Sequence, residues 1–267
     1  MNIGIAGYTG RVGSLLIKEL QGGAWKGLAL AGASARDMPE KDPGFFVTTD
    51  ARELFKRADV VIDFTTPEAS MNHAELAAAT GTALIVGTTG LGPAQEDFLR
   101  QMAEKTRIVY SANMSVGVNL LMALVEEAAA RLASEWDIEI FEAHHRHKVD
   151  APSGTALALG QAAAAGRNKN PASSTYSSLK NAVNKEGNAF AFTREGKRIE
   201  GEIGFAVSRG GDVVGEHMVT FYTEGERLEL GHRASDRSLF AKGALRAAQW
   251  VEGKPHGLYS MRDVLFS

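Results

Sequence analysis

The stretch Ile3-Gly-Ile-Ala-Gly-Tyr-Thr-Gly-Arg-Val-Gly13 decides how the first half of the chain folds. Residues 3–6 are typical of a short buried strand, and the apolar residues around and after Gly13 recur at helical spacing. Gly7, Gly10 and Gly13 lie at this junction, where glycine permits a tight turn, a close backbone approach to a ligand, and close packing of a helix on a strand. The stretch therefore predicts a strand, a glycine turn and a helix.

An alternation of strands and helices continues from this stretch to about residue 113. Strands are predicted at residues 28–33, 59–64, 83–86 and 107–110, and helices at residues 66–81 and 93–105. Such alternation implies right-handed crossovers and one parallel sheet. The chain is therefore expected to be an α/β protein whose N-terminal domain is a Rossmann-like, doubly wound parallel sheet.

The second half of the chain has a different pattern. A helix is predicted over residues 118–132, with an apolar face made of Leu120, Leu121, Leu124 and Val125. Predicted strands follow at residues 136–141, 202–207, 213–223 and 227–231, and Gly210-Gly211 and Gly225-Glu226 are hairpin signals between them. Residues 166–198 lack periodicity and are expected to form a long loop, and a last helix is expected at about 237–251. The pattern predicts a second α+β domain with an open mixed sheet.

The composition limits the class of protein. The chain has 267 residues, 44% of them hydrophobic, which is enough for two domains with a core in each. A net charge of −3 argues against a nucleic-acid partner, and no apolar run approaches the length that would cross a bilayer. The absence of cysteine excludes disulfides, thiolate nucleophiles and Cys-ligated metal, and it favours a reducing, cytoplasmic setting.

A cationic cluster lies in Glu142-Ala-His-His-Arg-His-Lys-Val-Asp-Ala-Pro-Ser-Gly-Thr-Ala156. Five side chains that can carry positive charge precede Ser153, which is predicted to cap a helix. A helix N-terminus beside cations favours a carboxylate or phosphate, and histidine can move a proton near neutral pH. The alternative is that residues 144–148 form a solvated loop with no binding role. Zinc is disfavoured because strand alternation separates His144 from His145 and His147 and provides no carboxylate or thiolate ligand.

The glycine turn indicates a dinucleotide. Glycines alone are weak evidence, since they could serve only the turn, but Gly87-Thr-Thr-Gly90 and Ser111-Ala-Asn-Met114 follow later strands and should share the carboxyl edge of the sheet. After the second strand, Arg36 suits a 2′-phosphate better than a ribose hydroxyl, while Asp37 could still bind the ribose. This favours NADPH over NADH, although Arg36 could be a solvated loop charge.

Several of these motifs together carry a family resemblance. They are Gly7-x-x-Gly-Arg-x-Gly13, Asp63-Phe-Thr-x-Pro67, Gly87-Thr-Thr-Gly90, Asn113-x-Ser-Val-Gly-Val118 and the 142–156 block, and the match continues through Arg209, Gly215-Glu-His217 and Gly257-Leu-Tyr-x-Met-Arg-Asp-Val264. The sequence closely resembles the 4-hydroxy-tetrahydrodipicolinate reductases, formerly called dihydrodipicolinate reductases. The resemblance covers nearly the whole chain.

The resemblance implies an enzyme that passes a hydride from NADPH or NADH to a cyclic imine dicarboxylate in the diaminopimelate route of lysine biosynthesis. It implies a dinucleotide-binding domain of residues 1–114 and 236–267, and a substrate-binding and oligomerisation domain of residues 115–235 in a homotetramer. His144 would be the acid/base and Lys148 the proton donor, while His145, Ser153, Gly154 and Thr155 would bind the substrate. The cofactor residues would be Gly7, Tyr8, Thr9, Gly10, Arg11, Val12, Arg36, Gly87, Thr88, Thr89, Ser111, Ala112, Asn113 and Met114.

Other interpretations of the sequence stay open at this point. The chain could be another NAD(P)-dependent reductase of a small carboxylated molecule, or a protein that senses NAD(P)H without turnover. A hydrolase is less well supported, because Ser153 lies at a helix cap and lacks the strained elbow of a nucleophile. Hydride transfer to a substrate held by residues 144–155 would require the two domains to approach each other, with candidate hinges at residues 113–118 and 233–237.

Overall fold

A computed structural model describes residues 1–133, 135–168, 198 and 201–267. Most of the predicted loop, residues 169–197, lies outside these described residues, but residues 166–168 belong to a helix and not to a loop. The described chain divides into two compact units, Met1–Val116 with Arg237–Ser267 and Gly117–Asp236. None of the described helices is both long and apolar enough to cross a membrane.

The elements in chain order are β1 (Asn2–Ala6), α1 (Arg11–Gln21), β2 (Ala29–Ser34), β3 (Val47–Thr48), α2 (Ala51–Arg57), β4 (Val60–Asp63), α3 (Pro67–Thr80), β5 (Ala83–Val86), α4 (Pro93–Ala103), β6 (Arg107–Tyr110), α5 (Val116–Arg131), β7 (Asp137–His144), α6 (Gly154–Asn168), β8 (Ile203–Arg209), β9 (Gly215–Thr223), β10 (Glu226–Ala234), α7 (Ser238–Trp250), β11 (Gly257–Tyr259) and α8 (Met261–Phe266).

The first unit contains a seven-stranded parallel sheet with the order β11-β6-β5-β4-β1-β2-β3. Alternate residues of β1, β4 and β5 enter two apolar clusters, one packed with α1, α7 and α8 and the other with α2, α3 and α4. Helices thus cover both faces of the sheet, which explains why its central strands are largely apolar on both faces. The predicted Rossmann-like fold is confirmed.

The sequence patterns locate some element boundaries well and miss the shortest elements. The predicted strands at 83–86 and 107–110 coincide with β5 and β6, and α3 begins after Thr66, whose side chain accepts a hydrogen bond from the Ala69 amide. The prediction missed β3, α2, β11 and α8, which have two to seven residues each. Such short segments show too little periodicity to be recognised.

The second unit contains a mixed four-stranded sheet with the order β10-β9-β7-β8, and it packs with α5 and α6. β7 pairs with β8 in parallel and with β9 antiparallel, so the predicted mixed sheet is confirmed. The predicted hairpin at Gly210-Gly211 is wrong, because β7 lies between β8 and β9. The β9–β10 hairpin is present, and Gly225 adopts a φ of 84° in its turn.

Two further predictions for the second unit need correction. The strand predicted to end at residue 141 continues to His144, because pairing with β8 extends to Arg209. Of the four residues predicted to form the apolar face of α5, Leu121 and Val125 are buried, whereas Leu120 and Leu124 are 43% and 47% exposed. The helix therefore buries a narrower apolar stripe than the sequence predicts.

Candidate active site

A fully buried carboxylate, Glu142, is the centre of the cluster in the second unit. Strand alternation in β7 places Glu142 and His144 on the same buried face as Ile138 and Ile140. Oε2 of Glu142 lies 2.5 Å from Nδ1 of His144, and Oε1 accepts a hydrogen bond of 2.9 Å from the Ser153 amide. The Arg209 guanidinium donates to both oxygens at 2.7 Å. One carboxylate thus joins two strands and the start of α6.

Burial alone would raise the pKa of Glu142. The hydrogen bonds from His144, Arg209 and Ser153, together with the charge of Arg209, outweigh burial and lower this pKa from 4.5 to about 2. Glu142 is therefore an anion at any physiological pH, and the guanidinium provides the matching charge.

His217 on β9 is the second histidine of the cluster. Its ring packs edge-on against the His144 ring at 5.1 Å, and its Nε2 lies 3.0 Å from Oγ of Ser153. Burial, and then the charge of His144, lower the pKa of His217 from 6.5 to about 4. His217 is therefore neutral at neutral pH. Ser153 Oγ also accepts from the Ala156 amide, which confirms that Ser153 caps α6.

Lys148 is joined to the same cluster through Asp150. Its Nζ donates to both carboxylate oxygens of Asp150 at 2.7 and 2.8 Å, and the Asp150 carbonyl accepts from Arg209 at 2.7 Å. Burial raises the pKa of Asp150, but the hydrogen bond and charge of Lys148, a backbone hydrogen bond and the charge of Arg209 together bring this pKa below its usual value. The His145 and His147 rings lie 6.4 Å apart beside this loop.

Sequence reasoning assigned no role to Glu142, Arg209 or His217, although all three lie in quoted motifs. The sequence does contain a signal for Glu142. The alternation that buries Ile138 and Ile140 also predicts that position 142 is buried, and a glutamate at a buried position requires partners. Arg209 and His217 had no such signal, because their contacts depend on pairing between strands distant in sequence.

The glycine turn of the first unit is as tight as the sequence predicts. Gly7 has a φ of 77°, and a Cβ on Gly13 would lie 2.2 Å from the Gly7 carbonyl oxygen. Only glycine at position 13 therefore lets α1 pack this closely on β1. Among the described residues no side chain caps the N-terminus of α1 at Gly10, so its first amide groups face the carboxyl edge of the sheet uncapped.

A second buried carboxylate, Asp63, joins the loops after β4 and β5. Its Oδ1 accepts from the Thr65 amide at 3.0 Å and from the Thr65 hydroxyl at 2.6 Å, and Oδ2 lies 2.9 Å from Nδ1 of His73. The Thr88 hydroxyl accepts from the Thr65 amide and from Ser70. Thr88 is 3% exposed, so its side chain is committed to this network.

The remaining cofactor candidates also follow strands of the parallel sheet. Arg36 and Asp37 are exposed after β2, and Thr89 and Ala112 are exposed after β5 and β6. Met114 is 1% exposed, and its side chain belongs to the apolar core. The described residues contain no group of three or more histidine, aspartate or glutamate side chains placed to hold a metal ion.

The structure defines a class: an oxidoreductase with a Rossmann-like parallel sheet and a second unit that contains a buried cluster of histidine and carboxylate groups. Residues 1–114 match the family described as dihydrodipicolinate reductase, N-terminus, and residues 117–265 match the description dihydrodipicolinate reductase, C-terminus. The chain belongs to this family.

Individual relatives agree with the family match. The 4-hydroxy-tetrahydrodipicolinate reductase of Magnetococcus marinus is 46% identical over 99% of this chain and 98% of its own length. The one of Caulobacter vibrioides is 48% identical over 99% and 97%. A solved dihydrodipicolinate reductase from Paenisporosarcina sp. TG-14, with dipicolinate bound, is 23% identical, covers 99% of both chains and has a TM-score of 0.79, which shows the shared fold.

These findings establish the activity. The enzyme uses NAD(P)H to reduce 4-hydroxy-tetrahydrodipicolinate to tetrahydrodipicolinate, in the diaminopimelate route of lysine biosynthesis.

Proposed function

We propose that the cluster in the second unit binds the substrate and moves its protons, with His144 as the acid/base and Lys148 as the proton donor. One observation carries the proposal: His144 and Arg209 both bind the Glu142 carboxylate, while Arg209 binds the carbonyl and Lys148 the carboxylate of Asp150, so one network contains both groups. Hydride addition to a conjugated imine places negative charge on the substrate, which a nearby proton or cation stabilises. Loss of the 4-hydroxyl group as water also requires a proton.

The start of α6 suits one carboxylate of the substrate. Gly154 and Thr155 form the first helical turn, where backbone amides and the helix dipole favour an anion. His145 adds a side chain that can donate a hydrogen bond, and Ser153 fixes the turn. Dipicolinate, the ligand of the Paenisporosarcina enzyme, is itself a dicarboxylate.

In this proposal the first unit holds the dinucleotide along the loops at the carboxyl edge of its sheet. The pyrophosphate would lie against residues 7–12, with further contacts from residues 87–89 and 111–114. Thr88 and Met114 would contribute backbone groups only, because their side chains are buried. An exposed guanidinium at Arg36 favours NADPH, since it can bind the 2′-phosphate through two hydrogen bonds.

We also propose that the chain assembles as a homotetramer through the second unit. Phe141 on β7 and Tyr222 on β9 are 42% and 40% exposed, and both project from the sheet face opposite the buried Ile140 and Phe221. Exposed aromatic side chains on a sheet face are typical of a protein interface. Sedimentation equilibrium of the purified enzyme measures the assembly.

The catalytic assignment is tested with His144→Gln and Lys148→Met. NADPH and NADH oxidation is followed separately at about 340 nm, the absorbance band of the reduced nicotinamide, with enzymatically generated substrate. We expect kcat to fall by about 10²- to 10⁴-fold, the usual contribution of a positioned acid or base. Cofactor Kd, measured by nucleotide fluorescence, should stay unchanged.

His147→Gln is the matched control, because His147 is an exposed neighbour in the same loop. It should retain turnover. The assignment is wrong if His144→Gln and Lys148→Met turn over like the wild-type enzyme, or if the control loses as much activity as they do.

A further inference from the structure

We propose that Glu142 is a positioning residue. It fixes the His144 ring and the substrate anchor, which is the first turn of α6 at Gly154 and Thr155, in position relative to each other. The proposal rests on the proposed roles of His144 and of the first turn of α6. Each carboxylate oxygen of Glu142 takes one bond from Arg209 and one more bond: Oε2 binds Nδ1 of His144, and Oε1 binds the Ser153 amide. A single rigid group therefore sets the position of both functional elements.

Burial shows that this carboxylate is not a surface ion pair. Glu142 is 0% exposed, and removing a carboxylate from water carries a desolvation penalty that its attraction to Arg209 must offset. A buried ion pair is thus weak evidence for stability, and apolar residues of similar shape often serve stability as well. What apolar residues could not do is accept hydrogen bonds from His144 and Ser153 at the same time.

The carboxylate also selects the proton position on His144. An ionised carboxylate only accepts hydrogen bonds, so Nδ1 of His144 carries the proton and Nε2 becomes the reactive nitrogen. The His144 ring packs edge-on against His217 from β9, and it shares the Glu142 carboxylate with Arg209 from β8. Gly215 leaves room beside the reactive nitrogen, since a Cβ there would lie 3.0 Å from Nε2.

The bond to Ser153 extends the same control to the substrate anchor. Ser153 donates its amide to Glu142 and accepts from the Ala156 amide through Oγ. The orientation of the first turn of α6, and with it the amides of Gly154 and Thr155, therefore follows the Glu142 carboxylate. The group proposed to transfer the proton and the turn proposed to bind the substrate are therefore both attached to Glu142.

Glu142→Gln tests the inference. The carboxamide oxygen should replace Oε1, where Ser153 and Arg209 both donate, which leaves the NH2 group facing His144 and reverses its tautomer. Nitrogen-15 NMR of the His144 ring should show a proton on Nδ1 in the wild-type enzyme and on Nε2 in the variant. We expect kcat to fall by about 10²-fold, dipicolinate to bind more weakly, and the KM for NADPH to stay unchanged.

Glu139→Gln is the matched control, because it makes the same change on the opposite face of the same strand, where Glu139 pairs with Arg198. It should preserve the His144 tautomer, kcat and dipicolinate affinity. If Glu142→Gln does not fold, Arg209→Lys removes the bidentate contact and should lower kcat and dipicolinate affinity by smaller factors, while the intact carboxylate keeps the His144 proton on Nδ1.

Two results would overturn the inference: a wild-type His144 protonated on Nε2, or a folded Glu142→Gln enzyme with wild-type kcat and dipicolinate affinity. Failure of the catalytic assignment looks different. In that case His144→Gln keeps its turnover, while the tautomer measured for the wild-type ring still reports whether Glu142 orients it.

Discussion

Arg36 is the residue on which cofactor preference should depend. It is exposed directly after β2, at the carboxyl edge of the sheet, and Asp37 follows it. The ribose of NADH offers hydroxyl groups, for which a carboxylate is the better partner, whereas the 2′-phosphate of NADPH requires a cation. Arg36 is closer in sequence to the end of β2 than Asp37 is, so the cation precedes the carboxylate at this edge of the sheet.

Arg36→Ala should weaken NADPH binding more than NADH binding. A hydrogen bond to a charged group contributes about 1.5–3 kcal/mol, so we expect the Kd for NADPH to rise by roughly 10- to 150-fold. Isothermal titration with each nucleotide measures this difference. Arg100→Ala is the control, since Arg100 is an exposed arginine of the same unit that pairs with Asp97 on α4. Equal losses for the two nucleotides would contradict the assignment.

Residue-level prediction succeeds where the chemistry is local. The cap at Ser153 and the packing of Gly13 follow from a few neighbouring residues, and the structure confirms both. The partners of Glu142 are different: Arg209 is 67 residues away, and it arrives only because β8 pairs with β7. No periodicity in one segment can reveal such a contact.

The loops after β1, β4 and β5 form one connected element at the carboxyl edge of the first sheet. Asp63 binds Thr65, and the methyl carbon of Thr65 lies 2.7 Å from where a Cβ of Gly7 would be. The same carboxylate approaches the Thr88 hydroxyl. Asp63 therefore controls the mutual position of three loops proposed to hold the dinucleotide.

Asp63→Asn should weaken cofactor binding while leaving the KM for the dicarboxylate substrate unchanged. The carboxamide keeps the shape but can no longer accept through both atoms, so either Thr65 loses its acceptor or the His73 ring must reverse its tautomer to keep its bond. A loss of 1–2 kcal/mol would raise the Kd for NADPH by about 5- to 30-fold. Fluorescence titration with NADPH checks this.

Thr106→Val provides a matched control for that experiment. Thr106 is 0% exposed, and its hydroxyl donates to the Thr82 carbonyl at 2.8 Å, just before β6 at the opposite edge of the sheet. Both substitutions should lower the melting temperature, because each disrupts a buried hydrogen bond. Only Asp63→Asn should change the Kd for NADPH. Equal Kd values for the two variants would show that Asp63 does not position the cofactor-binding loops.

Whole elements were predictable where they repeat a simple period. The alternation of β4, α3, β5, α4 and β6 follows directly from the sequence, but the order of strands in the second sheet does not. Gly210-Gly211 is chemically suited to a hairpin turn, yet β8 satisfies its backbone against β7 instead of β9. Strand pairing is decided by tertiary packing. A local turn signal therefore cannot exclude that a third strand, here β7, lies between two strands that are consecutive in the sequence.

At the scale of the whole molecule, each unit has its own core. Two apolar clusters belong to the first unit and one to the second. The strongly shifted groups Glu142 and His217 both lie in the second unit, within the site. The second unit should therefore be the more sensitive of the two to acid.

His217 contributes most to the first step of that sensitivity, and His232 on β10, whose pKa burial also lowers, acts in the same direction. Burial lowers its pKa from 6.5 to about 4, so the unfolded chain takes up a proton in this range while the folded chain does not. Stability is fully present above pH 6.5 and is lost as the pH falls to 4. With 1.36 kcal/mol for each pH unit, the loss is at most about 3 kcal/mol. Glu142, lowered from 4.5 to about 2, adds a second loss below pH 4.5.

Scanning calorimetry between pH 7.5 and 4 measures the effect as a fall in the melting temperature of the second unit. His217→Gln should flatten this dependence, because glutamine can keep a hydrogen bond to Ser153 and does not titrate. His256→Gln is the control, since His256 is exposed and lies in the first unit. It should leave the wild-type slope intact. A His217→Gln enzyme that loses stability with acid as steeply as the wild-type enzyme would show that another group controls the acid response.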